Sequence, residues 1–206
     1  GISSNWQNIG SMSNKGIEAT LGIDILKGNL LKWNLEINAT SYKNKITKMP
    51  LGTDGKPQEI VSGTKKLSEG HSIYDFWLRE FAGVDSEDGS ILFYKDIKDE
   101  EGEVTGRETT KDQNAASYYY VGSSIPKVYG GITNTISVKG FELSALVTYS
   151  LGGDFYDSNW ASLMHTGAFG SHWSSDILNR WQKKGDITDV PRLQNNYTAA
   201  TAASSR

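Results

Sequence analysis

The chain has 206 residues, enough for one ordinary domain or two small ones, with 37% apolar and 11% aromatic residues. A net charge of −3 gives no bulk electrostatic case for nucleic acid, and the absence of cysteine excludes a disulfide framework and thiolate chemistry. No apolar run approaches the roughly 18 to 20 residues of a membrane helix, but membrane β-strands expose one apolar face only and leave little hydropathy signal.

The clearest pattern starts at Lys15. Ile17, Ala19, Leu21, Ile23 and Ile25 alternate with Glu18, Thr20, Gly22 and Asp24, which predicts a strand with one apolar and one polar side. Lys27, Gly28 and Asn29 supply turn chemistry. Leu31, Trp33, Leu35, Ile37 and Ala39 then alternate with Lys32, Asn34, Glu36, Asn38 and Thr40. This predicts a hairpin over about 15–41 with long arms, matching the roughly 9 to 11 residues of membrane-barrel strands.

A less regular hairpin is predicted over 72–95, from Ser72–Phe81 and Ser90–Lys95, joined through Asp85-Ser86-Glu87-Asp88-Gly89. Its alternation is broken by Phe76, Trp77 and Leu78. A third hairpin is predicted over 128–150. Val128, Ile132, Ile136 and Val138 share a face interrupted by Gly130 and Asn134, opposite Tyr129, Thr133, Thr135 and Ser137. Lys139-Gly140 turns the chain, and Phe141, Leu143, Ala145, Val147 and Tyr149 alternate with Glu142, Ser144, Thr148 and Ser150, Leu146 being the exception.

Long connections separate the hairpins, over 44–70, 96–125 and from 151 onward. Such lengths are unusual in a compact soluble domain. In an outer-membrane barrel, short turns on the periplasmic side and long loops outside are the rule. The expectation is an all-β, antiparallel up-and-down transmembrane barrel wall, incomplete, with about six strands in three hairpins and all three turns on the periplasmic side. Residues 1–150 form the barrel segment and 151–206 a long extracellular loop region that stops before the barrel C-terminus. A short helix is predicted over Ser175–Lys183, with Ser174 or Ser175 as its cap. Six strands cannot close a membrane barrel, whose minimum is about eight.

Catalytic and metal signatures are missing. His71, His165 and His172 lack zinc spacing and read as solvated loop histidines. Asp85-Ser86-Glu87-Asp88-Gly89 places its glycine one position too early for an EF-hand and reads as a turn, with calcium binding the lesser alternative. There is no G-x-S-x-G elbow, Walker loop or G-x-G-x-x-G, so neither an enzyme nor a cofactor is indicated. Aromatic faces suit stacking against sugars or peptides, which makes Tyr118, Tyr119, Trp160 and Trp173 candidate substrate or partner contacts. The plainer readings are preferred: an interfacial girdle or strand start for Tyr118–Tyr120, and loop packing for Trp160, Trp173 and Trp181.

Five segments carry a resemblance. Asn8-Ile9-Gly10 with Asn14-Lys15-Gly16-Ile17-Glu18 is the first. Gly70 to Tyr94, with Phe76, Ala82-Gly83-Val84-Asp85 and Gly89, is the second. Tyr120-Val121-Gly122-Ser123 with Ile125-Pro126-Lys127, and Gly130 to Thr135, form the third and fourth. The fifth joins Leu151-Gly152-Gly153 to Ile177-Leu178-Asn179-Arg180-Trp181, Lys184-Gly185-Asp186 and Pro191-Arg192. In this order they resemble TonB-dependent outer-membrane receptors of the SusC/RagA type, in the C-terminal half of the barrel. The resemblance implies a barrel of about 22 strands around an N-terminal plug, in the bacterial outer membrane. It also implies a SusD-like surface lipoprotein as partner, oligosaccharide or peptide cargo, and drive from TonB–ExbB–ExbD through the plug. The departures from the family pattern are that no plug, TonB box or final strand ending in an aromatic residue is expected in these 206 residues, with Ser204-Ser205-Arg206 expected in a loop. The alternative from the strand pattern alone is a soluble β-sandwich, a carbohydrate-binding or surface adhesion module.

Overall fold

A computed structural model describes residues 10–165, 167, 170–194 and the backbone of 204–205. Asn8 and Ile9 of the first resembling segment, and Arg206, lie outside the described residues. The chain divides into two compact units, residues 1–75 with 122–155, and residues 76–121 with 156–206.

The first unit is built on a four-stranded antiparallel sheet. Its strands are β1 (Ser11–Lys27), β2 (Leu31–Lys48), β9 (Val128–Val138) and β10 (Phe141–Leu151), in the order β1-β2-β9-β10. Both long hairpins are therefore neighbours, joined where Leu31 faces Val138 and Ile37 faces Ile132. The first turn closes with the Gly28 N–H on the Leu31 carbonyl. A Cβ on Gly28 would lie 2.8 Å from that oxygen, so the position demands glycine. Lys139 and Gly140 both have positive φ, 47° and 85°, as a two-residue hairpin turn requires. The Lys139 N–H reaches the Leu30 carbonyl at 3.3 Å, so both turns stand together at one end of the sheet. Residues 49–127 leave and re-enter at the other end, which is also where β10 gives way to Gly152.

The register shows the sidedness. Ile23, Leu35, Asn134 and Ala145 form one transverse row, and Leu21, Ile37, Ile132 and Val147 the next. This face is bare: Ile17 is 77% exposed, Phe141 83% and Leu143 70%. One expected member moves. A bulge between Asp24 and Leu26 pairs Leu26, rather than Ile25, with Trp33. The two polar interruptions are each accounted for. The Trp33 indole N–H donates to Asn134 Oδ1 at 2.6 Å, and the Tyr149 hydroxyl crosses Gly130 to donate to the Asn38 carbonyl at 2.8 Å.

Residues 49–75 of the same unit hold a small hairpin, β3 (Ile60–Ser62) with β4 (Lys65–Leu67). Buried Asn44 anchors the return of this segment at Ser72 and Ile73: its Oδ1 accepts from the Ser72 hydroxyl and the Ile73 N–H, and its Nδ2 donates to Asn14 Oδ1.

The second unit carries β5 (Asp75–Val84), β6 (Ile91–Lys98) and β7 (Val104–Thr110), hydrogen-bonded in that order in a second sheet, with β8 (Tyr118–Ser123) paired to β5. The middle hairpin thus exists but belongs to this sheet, so its turn at Asp88-Gly89 is not a turn of the four-stranded wall. β3, β4, β7 and β8 occupy stretches expected to be loops. Among the described residues, two apolar clusters hold the unit: Ile91, Phe93 and Ala116 with Phe81, and Met164, Ile177 and Val190 with Trp160. The helix expected over 175–183 is a single 3-10 turn, Ser175–Asn179, capped by Ser174. An unexpected short helix α1 spans Ser158–Leu163, its first turn capped by the Asp157 carboxylate. Ser204–Ser205, expected in a loop, form a two-residue strand β11 parallel to β5.

Candidate functional site

The polar face of the four-stranded sheet comes from the same register. Glu18, Thr40, Tyr129 and Ser150 form one row, Gly22, Glu36, Thr133 and Leu146 another, and Lys27, Lys32, Ser137 and Glu142 the row beside the turns. Leu146, the exception in the sequence pattern, stands on this face, 3.1 Å from where a Gly131 Cβ would lie. Neighbouring groups satisfy one another: Asn34 donates to Asp24 at 2.9 Å, Lys27 pairs with Asp24 at 3.0 Å, and Ser137 donates to Glu142 at 3.2 Å. Such a surface holds water and polar solutes. Its reverse side does the opposite.

The second candidate group is aromatic and cationic, and lies in the second unit. Tyr118 opens β8 between two partners: the Trp77 ring stacks on it at 6.1 Å and 16°, and the Arg79 guanidinium sits 4.5 Å from its centroid. Tyr120 meets the same Trp77 at 4.8 Å. Tyr119 points to the opposite side of the strand, where Arg107 lies between its ring and that of Tyr94, at 4.0 and 4.5 Å. Arg107 also pairs with Glu80, and the guanidinium holds its proton even more firmly than usual as a result. The Tyr119 hydroxyl donates to Asp96 at 2.6 Å, and burial, with that carboxylate, raises its pKa. The sequence does not mark Arg79, Arg107 or Trp77 as site residues. For Trp77 and Arg79 the signal is the alternation Trp77-Leu78-Arg79, which puts a ring and a cation on one side of β5, whereas Arg107 lies on β7 with no such signal.

Trp160 donates to Asp176 at 2.9 Å and packs on Met164, Ile177 and Val190. Trp173 donates to the His165 carbonyl, its ring 4.9 Å from the imidazole. His165 is 3% exposed, so it is not the solvated loop histidine expected, and the Trp173 ring packs against it. Trp181 donates to the Ser86 carbonyl and lies against Gly89, whose φ is 71°. Tyr118 and Tyr119 thus belong to separate clusters on opposite sides of β8, and Trp160 and Trp173 to the packing of the 156–194 segment.

In the Asp85–Gly89 turn, Lys111 reaches both Asp85 and Asp88, at 2.5 and 3.1 Å. The Ser90 N–H and then Lys111 hold the Asp88 carboxyl at about 2, and Lys111 with the Glu87 N–H lowers Asp85. A cation in this turn would have to displace Lys111. Among the described residues, no three His, Cys, Asp or Glu side chains gather in metal-binding geometry.

No family model matches the chain. It is 28% identical over 212 residues to TonB-dependent receptor P3 of Formosa agariphila, a match covering 93% of this chain and 20% of the relative. TonB-dependent receptor SusC of Bacteroides thetaiotaomicron is 26% identical over 174 residues, covering 81% and 17%. The likeness is to TonB-dependent receptors of the SusC/RagA type. Among solved structures, the RagAB peptide transporter superposes with a TM-score of 0.77 at 24% identity, over 95% of this chain and 21% of that one. The same importer in its closed-closed state gives 0.74 at 24% identity, over 93% and 21%. The chain spans about a fifth of the length of these relatives. The fold is that of a piece of barrel wall like the one in these structures, and among the described residues no further strand pairs with the outer edges of β1 and β10. These relatives and structures carry the names of receptors and a transporter.

Proposed function

We propose that this chain is a section of wall and outer loops in a TonB-dependent outer-membrane transporter. It would import oligosaccharides or peptides with a SusD-like surface lipoprotein, driven by TonB–ExbB–ExbD through a plug that the polar face meets. The observation that carries this reading is the sidedness of one continuous sheet: an exposed apolar face, a hydrogen-bonded polar face, and both tight turns at a single end. From Leu31 to Ser41, β2 covers about 33 Å, or about 25 Å across a bilayer at a tilt of about 40°, the height of an outer-membrane apolar band. A soluble β-sandwich would bury this face under a second sheet, and Ile17, Phe141 and Leu143 stand uncovered.

Residues 1–150 supply the barrel segment, with 49–127 as an outer excursion within it, and 151–206 supply a further outer loop region. Tyr118, Tyr119, Trp160 and Trp173 serve cargo or lipoprotein contact through preassembled clusters. Each Tyr ring carries a guanidinium on one face, so a ligand meets ring edges and cations together.

The test is an epitope inserted at Glu101-Gly102 or at Asn29 of the intact receptor. Antibody should label the first on intact cells and the second only after the outer membrane is permeabilised. Labelling of Asn29 on intact cells, or recovery of the receptor in the soluble fraction, contradicts the reading.

A further inference from the structure

The outer end of the bare apolar face is cationic. Along its parity past Ile17 and Ser41, the next positions are Lys15 and Lys43, directly opposite each other, and then Ser13 and Lys45. Like charges in direct cross-strand register destabilise a sheet. All three lysines are exposed, and among the described residues none of their ammonium groups has an ion pair or hydrogen bond. Elsewhere, Lys27, Lys66, Lys95, Lys111 and Lys184 each meet a carboxylate. The compensating anion for the opposed pair is therefore to be sought outside the chain.

The backbone leaves room for it. Pairing of β2 with β9 ends at Thr40 and Tyr129, while β2 runs on to Lys48. The gap is a recess of about 480 Å³ lined by Ser41, Lys43, Lys45, Pro126 and Lys127, with Asp75 as its carboxylate. That carboxylate already accepts the Ser72 N–H at 2.9 Å and lies 3.7 Å from His71 Nδ1. Cations thus outnumber anions in a recess that begins where the apolar band ends.

From this geometry we infer that Lys15, Lys43 and Lys45, with the recess beside them, bind the net-anionic phosphate headgroup of an outer-leaflet lipid. The acyl chains would lie along Ile17, Leu21 and the apolar face below. The inference rests on the wall reading above. Lysine stems run along apolar surface and deliver their ammonium groups at headgroup level, and a cation beside an anionic lipid surface contributes about fivefold in affinity.

The intact receptor is reconstituted in phosphatidylcholine nanodiscs containing a minority of either phosphatidic acid or diacylglycerol, and retained lipid is counted by native mass spectrometry. The wild type should retain phosphatidic acid and not diacylglycerol. The K15Q/K43Q/K45Q variant should lose about 100-fold in affinity, and each single variant about fivefold. The charge-matched variant K56Q/K98Q/K183Q should behave as wild type. Equal retention of both lipids, or an unchanged triple variant, overturns the site. Protection of Lys43 from acetylation by inorganic phosphate alone, without lipid, would identify a free-anion site and overturn the lipid assignment. Heat-modifiable gel mobility on the same samples separates the two levels. A receptor that never inserts refutes the wall reading and the site together, whereas an inserted receptor indifferent to phosphate refutes the lysine site alone.

Discussion

The Trp33–Asn134 hydrogen bond distinguishes a lipid-facing sheet from a water-facing one. The indole N–H and Asn134 Oδ1 meet at 2.6 Å on the apolar face, on directly neighbouring strands β2 and β9. In hydrocarbon neither group has water to fall back on, so each depends on the other. The perturbation is a double-mutant cycle of Trp33→Phe, which removes the donor, and Asn134→Leu, which removes the acceptor. The single Asn134→Leu change does not decide the matter, because replacing an amide by hydrocarbon is itself favourable in lipid and opposes the lost bond. The coupling does. Side-chain hydrogen bonds in membranes contribute about 0.6 kcal/mol on average and up to about 1.7. The short distance and neutral partners place this one at about 1 kcal/mol. The assay is urea-induced loss of the folded gel band of the intact receptor in vesicles, for all four proteins. A face open to water would give a coupling near zero, because the freed indole would bond to solvent, and that result would refute the lipid assignment of this row.

Local geometry gives two more expected outcomes. Asn44→Ala removes the acceptor for the Ser72 hydroxyl and the Ile73 N–H and the donor to Asn14, at a site 7% exposed. It should cost about 2 to 4 kcal/mol, seen as faster hydrogen exchange confined to 70–75, whereas Asn44→Asp keeps the acceptor and should cost less. The Asp85–Lys111–Asp88 clamp is pH-dependent. The Asp88 carboxyl is depressed from 3.8 to about 2, so its contribution is present above 3.8 and lost as pH falls through about 2. Pepsin should spare the 85–89 turn at pH 4 and nick it near pH 2, and Lys111→Gln should move the onset of nicking upward.

How much of this was legible in the sequence depends on the physical origin of each feature. Alternation in β1, β2, β9 and β10 was legible because the pleat imposes a period of two and the apolar side chains gather on one face. The Asp24–Leu26 bulge was not, since one inserted residue leaves composition unchanged. Pairing of β2 with β9 was also hidden, because two hairpins of the same pattern carry no mark of their neighbour. β5 broke the pattern for a reason visible only in three dimensions: Phe76 and Leu78 are buried on one side while Trp77 stacks with Tyr118 on the other. β7, Val104–Thr110, is rich in Thr, Gly and charge, and its partners are cross-strand pairs such as Lys95–Glu108 rather than a core. In the aromatic clusters the tyrosines were legible as residue types. The arginines on their faces, Arg79 and Arg107, come from other strands and could not be assigned without the register.

The absence of native cysteine in the chain opens the most direct test of the central claim, that one face of the four-stranded sheet meets lipid and the other an aqueous lumen. Single cysteines at Leu143, Ser144, Val147 and Thr148 of β10 are spin-labelled in the intact receptor, in vesicles. Collision rates are then measured with oxygen, which partitions into lipid, and with a water-soluble nickel chelate. Labels at 143 and 147 should respond to oxygen and those at 144 and 148 to nickel. Equal nickel accessibility at all four positions would contradict the account.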